Sequence, residues 1–385
     1  MDDVRRKPAE QQPAWPDAAH IERVRTDLAN RPALVRPTDI DLLRSLLAEV
    51  ADGKALVIQS GDCAEDPAES TPSDIARKKA VLDLLAGSIG LTTHRPVIRV
   101  GRIAGQFAKP RSASLEQIAG VELPVYRGHL VNSPEPDPAG RRPDPDRLLT
   151  CYQAASKALV HLGWREPGCR SVLDAPVWTS HEALVLDYEL PLVRPDTHGR
   201  LFLTSTHWPW IGERTRQVDG AHVALLSLVA NPVACKIGPN TTVDELRALC
   251  ERLDPHRQKG RLTLTVRMGP ALPERLGPLV RAVRSAGHPA IWLSDPMHGN
   301  TVFASDGLKT RFVESILREV RDFQSTVRAE GGIAGGLHLE TTPDEVTECV
   351  HDDSEIALSG RKYTSLCDPR LNPAQALSVV SAWRG

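Results

Sequence analysis

Eight short apolar runs that do not alternate with polar residues constrain this chain more than any other feature. They are Ala55–Ser60, Val97–Arg102, Val177–Ser180, Phe202–Thr206, Val233–Gly238, Leu262–Arg267, Ile291–Asp295 and Gly336–Glu340. A strand with one face in water alternates apolar and polar residues, whereas a strand buried on both faces does not. Between most of the runs lie patterns of helical period, such as Val243–Arg252, Pro273–Ser285 and Thr310–Arg328. Strands alternating with helices predict an α/β fold on a parallel sheet, and eight such units predict a (β/α)8 TIM barrel. The 385 residues, 41% of them hydrophobic, suffice for one barrel with additional segments.

The chain divides into three parts on this reading. Residues 1–17 are charged and Pro-rich and read as a flexible N-terminal arm. Residues 18–54 form a short N-terminal helical extension, with helices over 18–29 and 38–52, the second opened by a Thr38–Asp39 cap signal. Residues 55–385 form the barrel, in which the Pro-rich stretch 132–147 reads as a loop.

Composition excludes several classes. A formal net charge of -2 flags no nucleic-acid or membrane surface. No apolar run approaches the roughly 18 residues of a membrane span, and the arm has no apolar h-region of a secretory signal. The seven cysteines, Cys63, Cys151, Cys169, Cys235, Cys250, Cys349 and Cys367, show no CxxC pair. An odd, unpaired set predicts reduced thiols in a cytoplasmic protein and argues against a structural zinc finger.

Reactive side chains gather where the predicted strands end. Gly61–Asp62–Cys63 follows the first run, Arg102 ends the second and Ser180–His181–Glu182 closes the third. Trp210 to Arg214 lies just beyond the fourth, Lys236 is in the fifth, and Arg267 ends the sixth. Asp295 to His298 ends the seventh, and His338 to Glu340 ends the eighth. Barrel enzymes carry their chemistry on this face. Arg102, Lys109, Arg111, Arg214, Lys236 and Arg267 form a cationic set that repels itself unless anions are present, and planar Arg forks suit carboxylate and phosphate. Cys63, His298, Glu340 and the later Asp368 offer one thiolate, one imidazole and two carboxylates, a mixture suited to a divalent transition ion acting as a Lewis acid. Taken singly, each has a plainer reading: Cys63 as a small buried residue, His298 and Asp368 as turn formers, Glu340 as a helix cap. The residues alone leave the reaction open.

A set of longer motifs narrows it. These include GDCAE (61–65), VGRIAGQFAKPRS (100–112), YRG (126–128), TSHEALVLDYE (179–189), WIGERTRQVDGAHV (210–223), NPVACKIGP (231–239), SDPMHGNT (294–301), GGLHLE (335–340) and CDPRLNPAQAL (367–377). In this order the chain, from about Trp15 to Trp383, resembles the class II 3-deoxy-D-arabino-heptulosonate 7-phosphate (DAHP) synthases. The resemblance implies a (β/α)8 barrel that condenses phosphoenolpyruvate with erythrose 4-phosphate, giving DAHP and phosphate. It implies one divalent ion, Mn²⁺ or Co²⁺, held by Cys63, His298, Glu340 and Asp368. It places phosphoenolpyruvate on Arg102, Trp210, Glu213, Arg214, Lys236 and Arg267. It places the aldose phosphate on Lys109, Pro110, Arg111 and Ser112, with Cys63, Lys236 and Glu213 as catalytic residues. A homo-oligomer, dimer or tetramer, and a chorismate mutase partner are further implications.

Three departures from the family pattern stand out: Ser60 in place of Gly, Asp66–Pro67 after GDCAE, and His129 in place of Asp after YRG. Their expected place near the mouth bears on the identity of the aldose, so an amino or imino analogue of erythrose 4-phosphate is an alternative acceptor. A non-catalytic barrel that binds sugar phosphates or docks a partner is the alternative from another class. The compact stretch Ser112–Ser180 and the reduced arm resemble members of secondary metabolism, such as phenazine-pathway enzymes, and predict weak or absent inhibition by Phe, Tyr or Trp. Cys367 beside Asp368 is expected to approach Cys63, so that a disulfide between them is conceivable without the ion.

Overall fold

The computed structural model describes residues 2–118, 120–164, 175–304 and 307–385, so Cys169 lies outside the described residues. Eight parallel strands close into a barrel: β1 (Leu56–Gly61), β2 (Val97–Arg102), β3 (Val177–Glu182), β4 (Trp208–Ile211), β5 (Val233–Ile237), β6 (Leu262–Val266), β7 (Ile291–Ser294) and β8 (Ile333–Glu340). Each strand pairs with its neighbours in sequence, and β8 pairs with β1. Helices follow the strands, from Pro72–Thr93 after β1 to Pro373–Ser381 after β8. The fold is therefore the expected (β/α)8 barrel. The non-alternating runs read correctly because β1, β3 and β5 are buried along their whole length, between the barrel interior and the surrounding helices.

The fourth strand differs from expectation. The apolar pattern predicts Phe202–Thr206 in the barrel, but Leu201–Leu203 pairs antiparallel with Val193–Pro195 in a hairpin outside it. Beyond that hairpin, the Thr204 carbonyl accepts the backbone N–H groups of Leu34 and Val35. The barrel strand is Trp208–Pro209–Trp210–Ile211, whose proline argues against a central strand on sequence grounds. Three residues of this strand carry the pairing to β3, through Ser180↔Trp208, His181↔Pro209 and Glu182↔Trp210.

The helical extension comprises Ala18–Asn30, capped by Asp17, and Pro37–Ala51. The second helix starts on Pro37 rather than on a Thr38–Asp39 cap, since proline fits the first turn where no N–H partner is needed. Residues 2–17 lie against the barrel: Val4 is fully buried, and Trp15 Nε1 donates to Asp187 at 2.6 Å.

Register sets the site. Gly61 is opposite Arg102 on one side and Glu340 on the other, so the ends of β2, β1 and β8 meet at one level of the rim. Gly61 has φ 150°, and a Cβ there would sit 2.8 Å from the Arg102 carbonyl oxygen, which a side chain could not tolerate.

Candidate active site

A cleft of about 430 Å³ opens at the C-terminal ends of the strands. Arg102, Lys109, Pro110, Arg111, Ser112, Trp210, Glu213, Arg214, Lys236, Arg267, His298 and Asp368 line it. The two remaining residues of the expected set, Cys63 and Glu340, lie buried, 1% and 0% exposed. The strand ends that carry the cleft are those read from the sequence, except that Trp210 belongs to β4 itself rather than to the segment beyond it.

Cys63 Sγ and one carboxylate oxygen each of Glu340 and Asp368 lie within 4.8 Å of one another. His298 joins them through Glu340, with Nε2 at 3.1 Å from Oε1. The backbone N–H of Asp368 donates to Cys63 Sγ at 3.1 Å, which ties the C-terminal segment to the end of β1. Burial opposes charge on Glu340, yet His298, Lys109, Arg311 and Arg102 hold its pKa well below the ordinary value. Asp368 is likewise held well below its usual range against burial, mainly by Lys109. Burial is the largest influence on Cys63 and works against its thiolate, but the hydrogen bond with Cys367 and the Lys109 charge act together the other way, and the thiol pKa is lowered. Both carboxylates are thus kept charged in a buried place, and the Lys109 ammonium spans them, 3.0 Å from Glu340 and 2.9 Å from Asp368. A sulfur and carboxylate oxygens around a point that already draws positive charge fit a divalent transition ion, while the His298 nitrogen lies beside Glu340 and outside the group of mutually close ligand atoms.

The basic half of the cleft is built around Trp210. Arg102 lies over its ring at 5.3 Å and Lys236 at 5.9 Å. Arg102 is held from below, since its Nη1 bonds His338 Nε2 at 2.6 Å and Nη2 donates to Glu340 at 3.0 Å. His338 in turn meets Gln59 Oε1 through Nδ1 at 2.6 Å, so Nδ1 carries the proton and Nε2 accepts from the guanidinium. Lys236 pairs with Asp295 at 2.9 Å, and burial shifts its pKa down. Burial and then the Arg267 charge lower the Arg214 pKa. Arg267 Nε and Glu213 Oε2 are buried with no hydrogen-bond partner. Cations that repel one another beside unpaired polar atoms make this half a receptor for anions.

Several residues of the site have no role in the sequence-based expectation. Asp295 binds both Lys236 and His298, and Arg311 Nη1 donates to Glu340 at 2.8 Å with no exposure of either side chain. Glu182 faces the cleft beside Gly212, its Oε1 is buried without a partner, and burial raises its pKa. Asp295 and Glu182 were visible as strand-end acids in the Asp295–His298 and Ser180–Glu182 motifs, while Arg311 ends the family motif GLKTR (307–311), which assigned it no role, in a hairpin of Thr301–Phe303 with Lys309–Arg311. None of the three departures lines the cleft. Ser60 Oγ bonds Thr341 Oγ1 at 2.7 Å, and His129 and Asp66 face each other at 3.8 Å.

Comparison with known proteins agrees with this geometry. The chain is 57% identical to a probable phospho-2-dehydro-3-deoxyheptonate aldolase of Pseudomonas fluorescens, over 97% of this chain and 94% of that one. It is 40% identical to the phospho-2-dehydro-3-deoxyheptonate aldolase AroG of Mycolicibacterium smegmatis, over 99% of this chain and 93% of that one. A solved phospho-2-dehydro-3-deoxyheptonate aldolase of Francisella tularensis superposes with a TM-score of 0.54, at 14% identity and 99% coverage of both chains, a likeness of fold alone. The model of the class-II DAHP synthetase family matches residues 1–168 and 162–382, and the chain belongs to that family.

Proposed function

We propose that the chain is a 3-deoxy-7-phosphoheptulonate synthase, a transferase that joins phosphoenolpyruvate to D-erythrose 4-phosphate with release of inorganic phosphate. The observation that carries the proposal is the meeting of the Cys63, Glu340 and Asp368 cluster, with His298 beside its Glu340, with the Arg102, Arg214, Lys236 and Arg267 group at one barrel mouth. The family depends on a divalent metal, and Cys63, His298, Glu340 and Asp368 would hold it, with Mn²⁺ or Co²⁺ the ions of choice. When bound, that ion supplies Lewis-acid polarisation of the aldehyde.

The protein's own residues supply positioning and charge compensation. Arg102, Arg214, Lys236 and Arg267 would hold the carboxylate and phosphate of phosphoenolpyruvate, with Trp210 packed beside them and Glu213 at the edge. Lys109, Pro110, Arg111 and Ser112 would receive the aldose phosphate. Holding two phosphates and a carboxylate together against their repulsion brings C3 of the enol toward the aldehyde carbon. A new C–C bond forms there, water adds at C2, and the C–O bond to phosphate breaks. Lys236, Glu213 and Glu182 are at hand for the proton of that water, the last through its raised pKa and unpaired oxygen.

Incubation of metal-loaded protein with phosphoenolpyruvate and erythrose 4-phosphate tests the proposal directly. The enol-phosphate absorbance falls, and Cys63→Ser abolishes the fall. No turnover with either erythrose 4-phosphate or its amino analogue would leave only a binding barrel. The alignment with the Mycolicibacterium relative runs over 436 residues against 385 in this chain, so that relative carries segments lacking here. The lack supports an enzyme free of inhibition by aromatic amino acids and serving secondary metabolism. A dimer or tetramer, and docking of a chorismate mutase, belong to the same proposal and are read by light scattering of the enzyme alone and mixed with the mutase.

A further inference from the structure

We propose that Gln11 is a positioning residue for the acceptor half of the site, through which the N-terminal arm holds the Lys109–Ser112 loop in shape; this rests on the role proposed above for that loop. Residues 109–112 have no regular secondary structure, so contacts from elsewhere must fix their backbone. Two of the loop's N–H groups are taken by partners outside it. Lys109 N donates to the Arg127 carbonyl at 2.9 Å, and Arg111 N donates to Gln11 Oε1 at 2.9 Å.

These two partners are joined to each other. The Arg127 guanidinium donates to the Gln12 carbonyl at 3.2 Å and to the Gln11 carbonyl. Gln12 then pins the arm to the barrel, its Oε1 accepting from Leu186 N and its Nε2 donating to Leu184 O, both at 2.9 Å. The loop is thus gripped from two sides by one connected assembly.

The backbone of Gln11 shows the same constraint. Its φ is 61°, in the left-handed region that is costly for a residue with a Cβ. Such a conformation persists where surrounding contacts impose it, and it often marks a functional requirement. Here it allows Gln11 to present its carbonyl to Arg127 while its side chain reaches Arg111. Lys109, Arg111 and Ser112 line the cleft and Gln11 does not, so Gln11 acts through the loop backbone without touching substrate.

The test uses full-length, metal-loaded enzyme and separate KM values for the two substrates. Gln11→Ala deletes the acceptor, and Gln11→Asn leaves it one methylene short of Arg111. Both are expected to raise KM for erythrose 4-phosphate about 2- to 10-fold, the range of one hydrogen bond, with KM for phosphoenolpyruvate unchanged. Gln11→Glu keeps an accepting oxygen and restores the acceptor KM. A change equal in both KM values, no change in either, or failure of Gln11→Glu to restore would overturn the proposal. Arg111→Ala, measured alongside, separates the two levels. If it leaves the acceptor KM unmoved, the loop assignment fails and the role of Gln11 falls with it. If it raises that KM and Gln11→Ala does not, the role of Gln11 alone is wrong.

Discussion

Asp295 holds Nδ1 of His298 at 2.8 Å, which leaves Nε2 facing Glu340. A carboxylate behind a ligand imidazole fixes its tautomer and ring orientation, and the same carboxylate also anchors Lys236 at 2.9 Å. The acid therefore serves both halves of the cleft. Asp295→Asn keeps the shape but loses the charge. It is expected to weaken divalent-metal affinity about 10- to 100-fold, the usual effect of removing such a partner. Calorimetric titration of metal-free enzyme with Mn²⁺ checks this, and an unchanged affinity would confine Asp295 to holding Lys236.

Cys63 and Cys367 share a hydrogen bond, and that bond, with burial, pushes the Cys367 thiol well above its ordinary pKa. Two thiols so placed can be joined by an external oxidant such as diamide, which takes up the two hydrogens as the S–S bond forms. Metal-free enzyme treated with diamide is expected to lose activity and to show a Cys63–Cys367 peptide by mass spectrometry. Dithiothreitol restores it, and prior loading with Mn²⁺ protects it. Cys367→Ser removes the sensitivity, and a Cys367→Ser enzyme that diamide still inactivates would point to another thiol.

The barrel was legible because burial on both faces writes itself into each strand as an unbroken apolar run, as in Val233–Ile237. The fourth strand was not, because Pro209 disguises it while the hairpin strand Leu201–Leu203 mimics a core strand. Cys63, Arg102, Lys236, Arg267 and Glu340 were legible as polar residues on apolar strand ends. Residues that act by contact across long separations left no such mark. Gln11 meets Arg111 across 100 positions, and Arg370 meets Asp62 across 308. Local pattern cannot report pairs that only the closed barrel brings together.

The proposed freedom from inhibition by aromatic amino acids is read directly from the rate. Activity in the presence of Phe, Tyr and Trp, singly and together, is expected to stay within about twofold of the uninhibited rate, a difference of under about 0.5 kcal/mol. Strong inhibition by any combination would show that an effector site persists without the extra segments of the Mycolicibacterium relative.

Arg370 ties the segment bearing Asp368 to the first strand's end. Its Nη1 bonds Asp62 at 2.7 Å, and Nη2 and Nε bond Glu348 at 2.8 and 3.1 Å, with all three side chains buried. Asp62 is also paired to Lys78 at 2.8 Å. Removing one member strands a buried charge. Arg370→Ala is expected to cost about 3–5 kcal/mol of stability. Arg370→Lys keeps the charge but loses the fork, and is expected to weaken metal binding more than it lowers stability. Urea unfolding and metal titration read the two effects, and a Lys variant with native metal affinity would separate Arg370 from the placement of Asp368.

Glu319 links the loops after β6 and β7 and should make stability depend on pH. Its Oε1 accepts from Gly269 N at 3.0 Å and Met268 N at 3.3 Å, and its Oε2 accepts from Asn300. Burial raises its pKa from 4.5 to about 7. Between those values the unfolded chain has released the proton while the folded chain keeps it, so the folded state binds more protons. Stability therefore falls as pH rises through this window, by about 1.4 kcal/mol per pH unit at most for one group. The contribution is fully present below the unfolded pKa and is lost by the time pH passes the folded one. The Glu319→Gln variant carries an uncharged amide throughout, and its carbonyl oxygen can still accept the two backbone bonds while Asn300 turns its own amide. Thermal midpoints of the native protein and of Glu319→Gln, measured from pH 5 to pH 8, should diverge steadily toward pH 7, with the variant relatively more stable at the higher pH. Parallel curves would show that the carboxyl ionises with its ordinary affinity and that its bonds to Gly269 and Met268 offset burial.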